Sequence, residues 1–405
     1  MKTLLLFVLS VVVALLLGEV GIRIFEATRG KEISYEALYK NSTIPLDTLN
    51  YNESPVSRSK PKEEFRVLSF GDSFAYSIVR APNHYHGIAA KRATELSQQL
   101  VTVVNLGEPA VSFYQYMKAY GVWGKLLEHD GVVFNIYLGN DLLDVAYRYV
   151  SSDVKINRLF LNLDRDLATG QSRSVSIPAK FPLRILDYAY AAKLIFSGAV
   201  QPASVPHPAT GLYNFAVTKL AEDKWLDILN TQLDNFDTAK LARLQEGYLA
   251  VIKFASFVSK IRSDGKKVLV MLAPNQAQVS DPTLDLVMTK FKHDRALFDL
   301  DLNAALIYQI FQHIDQGVGL TYLRNPLRCA EQQGTPTYYD TDTHWSVEGN
   351  RVVGQHLGSW LASRWLGVPT VADRQCDDKV DLSSERVSIY NLQIKPLFEA
   401  AKRAN

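Results

Sequence analysis

Several absences limit what this chain of 405 residues can do. It has only two cysteines, and neither belongs to a cluster with histidine at metal-ligand spacing, which argues against a zinc site. Its 44 basic and 42 acidic residues are interspersed, so the basic footprint typical of nucleic-acid binding is missing. Neither a P-loop nor a dinucleotide-binding glycine pattern follows the first predicted strand. We therefore expect no metal, no cofactor and no nucleic-acid partner.

Long apolar runs are also absent, except at the N-terminus. Residues 4–18 carry no charge, and a run of this length suits either a signal-peptide core or a bilayer span, which needs roughly 20 apolar residues. Small residues do not occupy both positions that signal-peptide cleavage requires. We therefore predict that residues 1–26 form an uncleaved signal anchor, a single transmembrane helix. The rest of the chain is then expected to be periplasmic or extracellular.

The remaining sequence divides into segments of different composition. Residues 27–63 are polar and contain three prolines, a pattern typical of a stalk. Residues 64–370 alternate between short β-rich runs and helical patterns, which predicts one domain. Within it, residues 145–238 break the alternation with five prolines and amphipathic pieces, and we interpret them as a helical insertion or lid. Residues 371–405 are predicted to be a polar C-terminal tail.

Five short runs rich in Val, Ile and Leu are continuous, not alternating, as is typical of strands buried on both faces of a parallel sheet. These predicted strands are residues 66–70, 101–105, 131–137, 267–272 and 319–323. Helical patterns lie at residues 85–99, 114–128, 239–264 and 346–366. In the last of these, Ser346 is the predicted N-cap. The alternation predicts an α/β fold with helices on both faces of a parallel sheet.

Polar or small residues follow the first three predicted strands, where ligands bind in open parallel sheets. A histidine with two nearby carboxylates comes late in the chain, in the stretch YYDTDTHW. The residues concerned are Ser73, Gly107 and Asn140 after the strands, and Asp340, Asp342 and His344 in the late stretch.

Each of these residues also has an ordinary structural role. Ser73 and Asn140 can cap the helices that follow them, and Gly107 can form a tight turn. Three other histidines lie near predicted loops and are expected to be solvated: His84, His86 and His129.

Together, however, the residues match the needs of serine catalysis. A serine hydroxyl becomes nucleophilic when an imidazole takes its proton, and a carboxylate then orients that imidazole. Backbone N–H groups and a side-chain amide can stabilise the tetrahedral oxyanion. One candidate for each role is present, so we favour the catalytic interpretation.

The four motifs in this order resemble those of the SGNH (GDSL-type) serine hydrolases, and the N-terminal segment suggests a membrane-anchored envelope branch. The resemblance spans roughly residues 64–367, without the insertion. It implies a flavodoxin-like, three-layer α/β/α sandwich. It also implies Ser73 as nucleophile and oxyanion-hole donor, the Gly107 N–H and the Asn140 side chain as further donors, and His344 as base.

Two departures from the family pattern bear on these roles. The family often places its aspartate three residues before the histidine, where this chain has Thr341. We predict Asp342 as the carboxylate, with Asp340 as the alternative. Phe74 stands where the GDSL pattern has leucine, an exchange of one apolar residue for another. The α/β-hydrolase pattern G-x-S-x-G fits less well because residue 75 is alanine.

The resemblance suggests hydrolysis of O-acyl esters, especially O-acetyl esters, on cell-envelope glycans or lipids. One alternative is an O-acetyltransferase of a surface polysaccharide that uses the same triad. Such enzymes usually carry Asp-x-His before the serine, the reverse of the order found here, so we favour hydrolysis. A second alternative is a non-catalytic envelope protein that binds its ligand on the same fold. In an exported chain Cys329 and Cys376 can form one disulfide, although two unconnected thiols remain an alternative.

Overall fold

The computed structural model describes residues 15–21, 23–24, 56, 59–76, 78–79, 82–107, 111–145, 162–165, 172–176, 186, 189, 220–369 and 380–399. Contacts divide the chain into two units. The larger comprises residues 50–149 and 214–405, and the smaller comprises residues 1–49 and 150–213.

Seven strands are described, five of them in the parallel sheet of the larger unit. The strands are β1 (Glu64–Gly71), β2 (Leu100–Asn105), β3 (Gly131–Tyr137), β4 (Asn162–Arg165), β5 (Ser172–Ser176), β6 (Lys267–Ala273) and β7 (Gly319–Tyr322). The sheet order is β2-β1-β3-β6-β7. If only the strands of this sheet are counted, the order is 2-1-3-4-5, as in a flavodoxin-like doubly wound sheet. The predicted α/β class with a parallel sheet is therefore confirmed.

The sheet strands are continuous apolar runs because both faces of the sheet are covered. In β1, Val67 and Leu68 point to opposite faces and are both fully buried. Val67 belongs to a core cluster with side chains from the helices on its face, whereas on the other face Phe134 meets the helical Phe254 with ring centroids 5.0 Å apart. A strand with helices on both sides has no solvent-facing residues, so its sequence shows no alternation.

The helices are α1 (Ser73–Tyr76), α2 (Tyr85–Ser97), α3 (Phe113–Leu126), α4 (Glu222–Leu233), α5 (Gln245–Ser263), α6 (Gln276–Val279), α7 (Asp281–Phe291), α8 (Leu302–Ile314), α9 (Arg324–Gln332), α10 (Val347–Trp360) and α11 (Ser384–Ile389). Short 3₁₀ segments occupy Asp234–Phe236, Thr238–Leu244 and Arg295–Leu297, and π-helical segments follow α10 at Leu361–Trp365 and α11 at Tyr390–Ile394.

The Ser346 hydroxyl caps α10 as predicted, since it accepts the Gly349 N–H at 3.1 Å. This cap fixes the start of α10 directly after the late histidine stretch. The C-terminal segment, expected to be a polar tail, includes α11. Arg386 ties this helix to Asp299 through two hydrogen bonds of 2.6 and 2.7 Å.

In the smaller unit, β4 and β5 form an antiparallel pair, and residues 15–21 and 23–24 are helical. Within the predicted helical insertion, residues 162–165 and 172–176 are therefore strands. Short polar strands in a two-stranded ribbon leave little apolar periodicity in the sequence. Residues 222–233, at the other end of the predicted insertion, are helical and belong to the larger unit.

Other predictions fall largely on residues outside the described ones. Most of the predicted anchor and stalk lies there, as does Cys376, so the anchor and the Cys329–Cys376 disulfide stay predictions. In the part of the chain that the structure describes, none of the helices combines the length and the apolar character that crossing a bilayer requires.

Candidate active site

The predicted site residues lie beyond the carboxyl ends of adjacent strands. Ser73 is the first residue of α1, two residues after β1 ends. Gly107 follows β2 and Asn140 follows β3, also within three residues of the strand end. Because β1 lies between β2 and β3 in the sheet, all three residues are on one edge. The late stretch before α10 brings Asp342 and His344 to the same edge.

Ser73, His344 and Asp342 form one hydrogen-bonded chain. The Ser73 Oγ lies 2.9 Å from His344 Nε2, and His344 Nδ1 lies 2.7 Å from Asp342 Oδ1. The Asp342 carboxylate accepts a hydrogen bond from Nδ1–H, so the neutral imidazole keeps its lone pair on Nε2, facing the serine hydroxyl. The Asp342 side chain is 9% exposed and that of His344 is 22% exposed. A mostly buried carboxylate thus orients a partly accessible imidazole.

The loop geometry distinguishes the two candidate carboxylates. Asp342 Oδ1 also accepts the backbone N–H of His344 at 2.9 Å, so one oxygen holds both the main chain and the ring. Between the two aspartates, Thr341 has a φ of +55°, a left-handed conformation that is uncommon for a β-branched residue. Asp340 is exposed and makes no hydrogen bond with His344. The geometry therefore favours the predicted Asp342 over Asp340.

Aromatic rings hold the histidine beside α1. Phe74 is 3% exposed and stacks on Tyr137 with centroids 4.1 Å apart. It also lies 5.1 Å from the ring of His344 and 4.9 Å from that of Trp345. Contacts of this kind restrict the imidazole to a plane that reaches both the serine and the carboxylate. Phe74 thus has a specific packing role where the GDSL pattern has leucine.

The predicted oxyanion donors differ in their availability. Among the described residues, no acceptor bonds the Ser73 N–H. Asn140 Nδ2 makes only a long contact of 3.4 Å to Asp144 Oδ2. The Gly107 N–H, in contrast, donates to Asn105 Oδ1 at 3.0 Å. The first two donors are therefore free or weakly engaged, whereas the third must leave Asn105 before it can bind an oxyanion.

Gly107 has a clear packing reason to be glycine. A Cβ at this position would lie 2.8 Å from the Ala75 Cβ and would meet the backbone of Ala75 and Tyr76 even more closely. The loop after β2 therefore packs directly on the backbone of α1. The Asn105 amide reinforces this contact by donating to the Tyr76 carbonyl at 3.1 Å.

Two buried aspartates next to the predicted residues were not assigned a role from the sequence. Asp72 is 1% exposed, and burial raises its pKa to about 7. Asp141 is fully buried, and burial together with the charge of Asp72 holds its pKa well above the usual value. Both belong to the motifs themselves, as the middle residue of Gly-Asp-Ser and the last residue of Gly-Asn-Asp. Their places in these motifs, next to Ser73 and Asn140, were the sequence signal that could have identified them.

The expectation that His84, His86 and His129 are solvated was wrong. Their exposures are 0%, 0% and 4%. His86 Nε2 lies 2.9 Å from Ser69 Oγ, and its Nδ1 lies 3.3 Å from His84 Nδ1. His129 Nδ1 lies 2.7 Å from the Leu127 carbonyl oxygen. The rings are buried because each finds a hydrogen-bonding partner inside the protein.

A cavity of about 2050 Å³ lies along β7 and α10, and no predicted site residue lines it. We do not assign the candidate chemistry to it, because its walls lack the Ser–His–Asp chain. Over the described ranges, no group of three His, Cys, Asp or Glu side chains is arranged to hold a metal ion.

Comparisons with known proteins give little beyond these observations. No family model and no curated protein matches the sequence. Among solved structures, a member of the lipolytic protein G-D-S-L family from Veillonella parvula is 13% identical. It has a TM-score of 0.35, and the match covers 74% of this chain and 99% of the other. An α/β hydrolase enzyme from the metagenome of Lake Arreo, Spain, is 10% identical, with a TM-score of 0.35 and coverages of 76% and 97%. Similarities this loose carry no argument about function, which must come from the site itself.

Proposed function

We propose that the protein is a serine ester hydrolase of the SGNH type. The observation that carries this proposal is the chain from Ser73 Oγ through His344 to Asp342, with distances of 2.9 and 2.7 Å. Both distances lie within the range expected of a nucleophile, its base and the group that orients the base. The position of the serine directly after the first strand of a flavodoxin-like sheet supports the same family.

The chemistry follows from the tautomer that Asp342 imposes. Ser73 Oγ attacks the acyl carbon while its proton moves to His344 Nε2, and the carbonyl oxygen becomes the oxyanion. In this proposal the Ser73 N–H and Asn140 Nδ2 donate hydrogen bonds to it, and the Gly107 N–H joins them once it leaves Asn105 Oδ1. When the ester C–O bond breaks, the leaving alcohol takes the proton from Nε2. Water then gives a proton to Nε2 and attacks the acyl carbon. When the bond from this carbon to Ser73 Oγ breaks, Nε2 returns the proton to Oγ, which releases the acid and restores Ser73.

The substrate class and location belong to the proposal as well. We propose O-acyl esters of envelope glycans or lipids, O-acetyl esters in particular, because the N-terminal apolar segment suggests an anchored and exported protein. The Cys329–Cys376 disulfide would suit that compartment. Transfer of the acyl group to a second hydroxyl uses the same first half-reaction, so the two activities differ only in the acceptor.

The test is an acetyl-release assay on acetylated oligosaccharides, with and without an unacetylated oligosaccharide acceptor. We expect free acetate in both reactions and none from the Ser73→Ala variant. Acetyl groups on the acceptor instead of free acetate would show a transferase. Folded wild-type protein that releases and transfers no acetyl group from these substrates or from small aryl acetates would contradict the proposal and favour a binding protein.

A further inference from the structure

Asp72 is built into the backbone that presents the serine. Its Oδ1 accepts the Phe74 N–H at 3.0 Å, and its carbonyl oxygen accepts the Tyr76 N–H at 2.9 Å. The side chain is 1% exposed, and among the described residues no donor reaches its Oδ2. A carboxyl group in this setting fixes α1 with one oxygen and keeps the other available for a proton.

Titratable groups from several elements face this carboxyl group. His344 approaches from the loop before α10, and its positive form favours an ionised Asp72. Asp144, from the helical turn after β3, opposes the ionisation of Asp72 through its charge. The charge of Asp72 in turn raises the pKa of Asp141, where burial is the largest cause. Tyr116 of α3 and Tyr137 of β3 also feel the charge of Asp72, since it helps to raise the pKa of both hydroxyls.

Asp141 completes the buried acidic group. Its Oδ2 accepts the Tyr116 O–H at 2.8 Å and the Tyr137 N–H at 3.0 Å, whereas its Oδ1 has no partner among the described residues. Asp72 and Asp141 are neighbouring buried carboxyl groups, and each has one oxygen without a donor among the described residues. Ionising both of them therefore costs free energy, because like charges repel and burial disfavours each charge. Burial is the largest cause of the raised pKa of Asp72, about 7, and the charge of Asp144 adds to it.

We propose that Asp72 is a positioning residue for the Ser73–His344 pair and that its ionisation controls the activity of the pair. This inference rests on the proposed function. In the neutral state, Asp72 holds α1 through the Phe74 N–H. When its proton has left to solvent, it also places a negative charge near the imidazolium that forms as Ser73 gives its proton to His344. Asp72 makes no bond to substrate in either state.

The test is the Asp72→Asn variant, because asparagine keeps an oxygen for the Phe74 N–H and cannot ionise. We would measure kcat/KM for a small aryl acetate between about pH 5 and pH 9, a range on both sides of the expected ionisation. At the acidic end we expect equal values for the variant and the wild type. At the alkaline end we expect the variant to be slower by about tenfold, the factor that corresponds to one pKa unit of interaction. Asp340→Asn, which removes an exposed carboxylate near the same histidine, should follow the wild type throughout.

A wild-type to variant ratio that is constant across this range would overturn the inference, because a merely structural role lowers activity equally at every pH. If Asp72→Asn does not fold, infrared titration of the wild type decides instead. A buried carboxylic acid that ionises near pH 7 supports the inference, and carboxyl groups that show no such ionisation overturn it. A wild type without any esterase activity contradicts the proposed function, whereas a flat ratio in an active enzyme contradicts only the role of Asp72.

Discussion

At the scale of single residues, the central question is which carboxylate orients His344. Asp342 Oδ1 lies 2.7 Å from His344 Nδ1, whereas Asp340 is exposed and makes no bond to the ring. We predict that Asp342→Asn lowers kcat by roughly 10⁴-fold, because an amide at this position favours the wrong imidazole tautomer. Asp340→Asn, the matched control two residues away, should leave kcat within about twofold. Steady-state kinetics on one ester would check both, and the reverse order of effects would contradict our assignment.

Asn140 gives a second prediction at this scale. Its Nδ2 has only a 3.4 Å contact to Asp144 in the free protein, so it is available to an oxyanion. Asn140→Ala should raise the activation barrier by about 2.7–4 kcal/mol, the usual value for one oxyanion donor. The loss should fall on kcat, with KM little changed, because the bond strengthens only in the transition state. A loss confined to KM would show that Asn140 binds the ground state instead.

The sequence could identify these residue types but not all of their contacts. Spacing left Asp340 and Asp342 as alternatives because both are close enough to reach His344. The left-handed turn at Thr341, directly before Asp342, is unusual for a threonine and has no sequence signal. The hydrogen bond from the Gly107 N–H to Asn105 was equally hidden, since it depends on the loop that joins two elements.

At the scale of elements, the contact between α1 and the loop after β2 decides the shape of the site. Gly107→Ala should lower the free energy of unfolding by about 1–3 kcal/mol, because the new methyl group meets Ala75 and the α1 backbone with no space to move into. It should also lower activity, since α1 carries Ser73. Urea denaturation and ester hydrolysis would check both effects.

Gly121→Ala is the matched control for this change. Gly121 lies inside α3, and nothing is within 4 Å of a Cβ built there. Alanine should therefore raise stability by about 0.4–1 kcal/mol and leave activity unchanged. If both glycine variants behave alike, the close approach at Gly107 is not the cause of its effect.

Elements with strong periodicity or continuous apolar character were predictable. The five sheet strands match the predicted runs to within two residues at each end because burial on both faces leaves an uninterrupted signal. The antiparallel β4–β5 pair lacked such a signal, since its short strands are polar. Helices α7 and α8 lie between β6 and β7, and α9 lies between β7 and the late histidine stretch. None of the three was predicted. The start of α7 depends on a local cap, the Ser280 hydroxyl, whereas α8 and α9 begin without a side-chain cap.

At the scale of the whole molecule, the buried histidines make folding sensitive to acid. Burial, with the charge of His84 as a second cause, holds the pKa of His86 well below its ordinary value of 6.5. The unfolded chain therefore binds more protons than the native protein below about pH 6.5, and stability falls as the pH drops through that range. The loss is up to roughly 1.4 kcal/mol per pH unit for each such proton.

This sensitivity is measurable with conservative variants. His86→Gln can still bond Ser69 Oγ but cannot take a proton, so its stability should change less than that of the wild type between about pH 7.5 and pH 5.5. His313→Gln, a change at an exposed histidine of α8, should retain the wild-type dependence. Urea midpoints at the two pH values would check this. An unchanged pH dependence in His86→Gln would show that other groups cause the acid loss.

The most direct test of the central claim is covalent labelling of Ser73 with a fluorophosphonate probe, followed by peptide mass spectrometry on folded protein. If His344 takes the proton of Ser73 as the 2.9 Å contact indicates, one probe should attach to Ser73 in the wild type. Ser73→Ala and His344→Ala should remain unlabelled, while Asp340→Asn should label like the wild type. Folded wild-type protein that stays unlabelled, or that carries the probe on a different residue, would contradict the account.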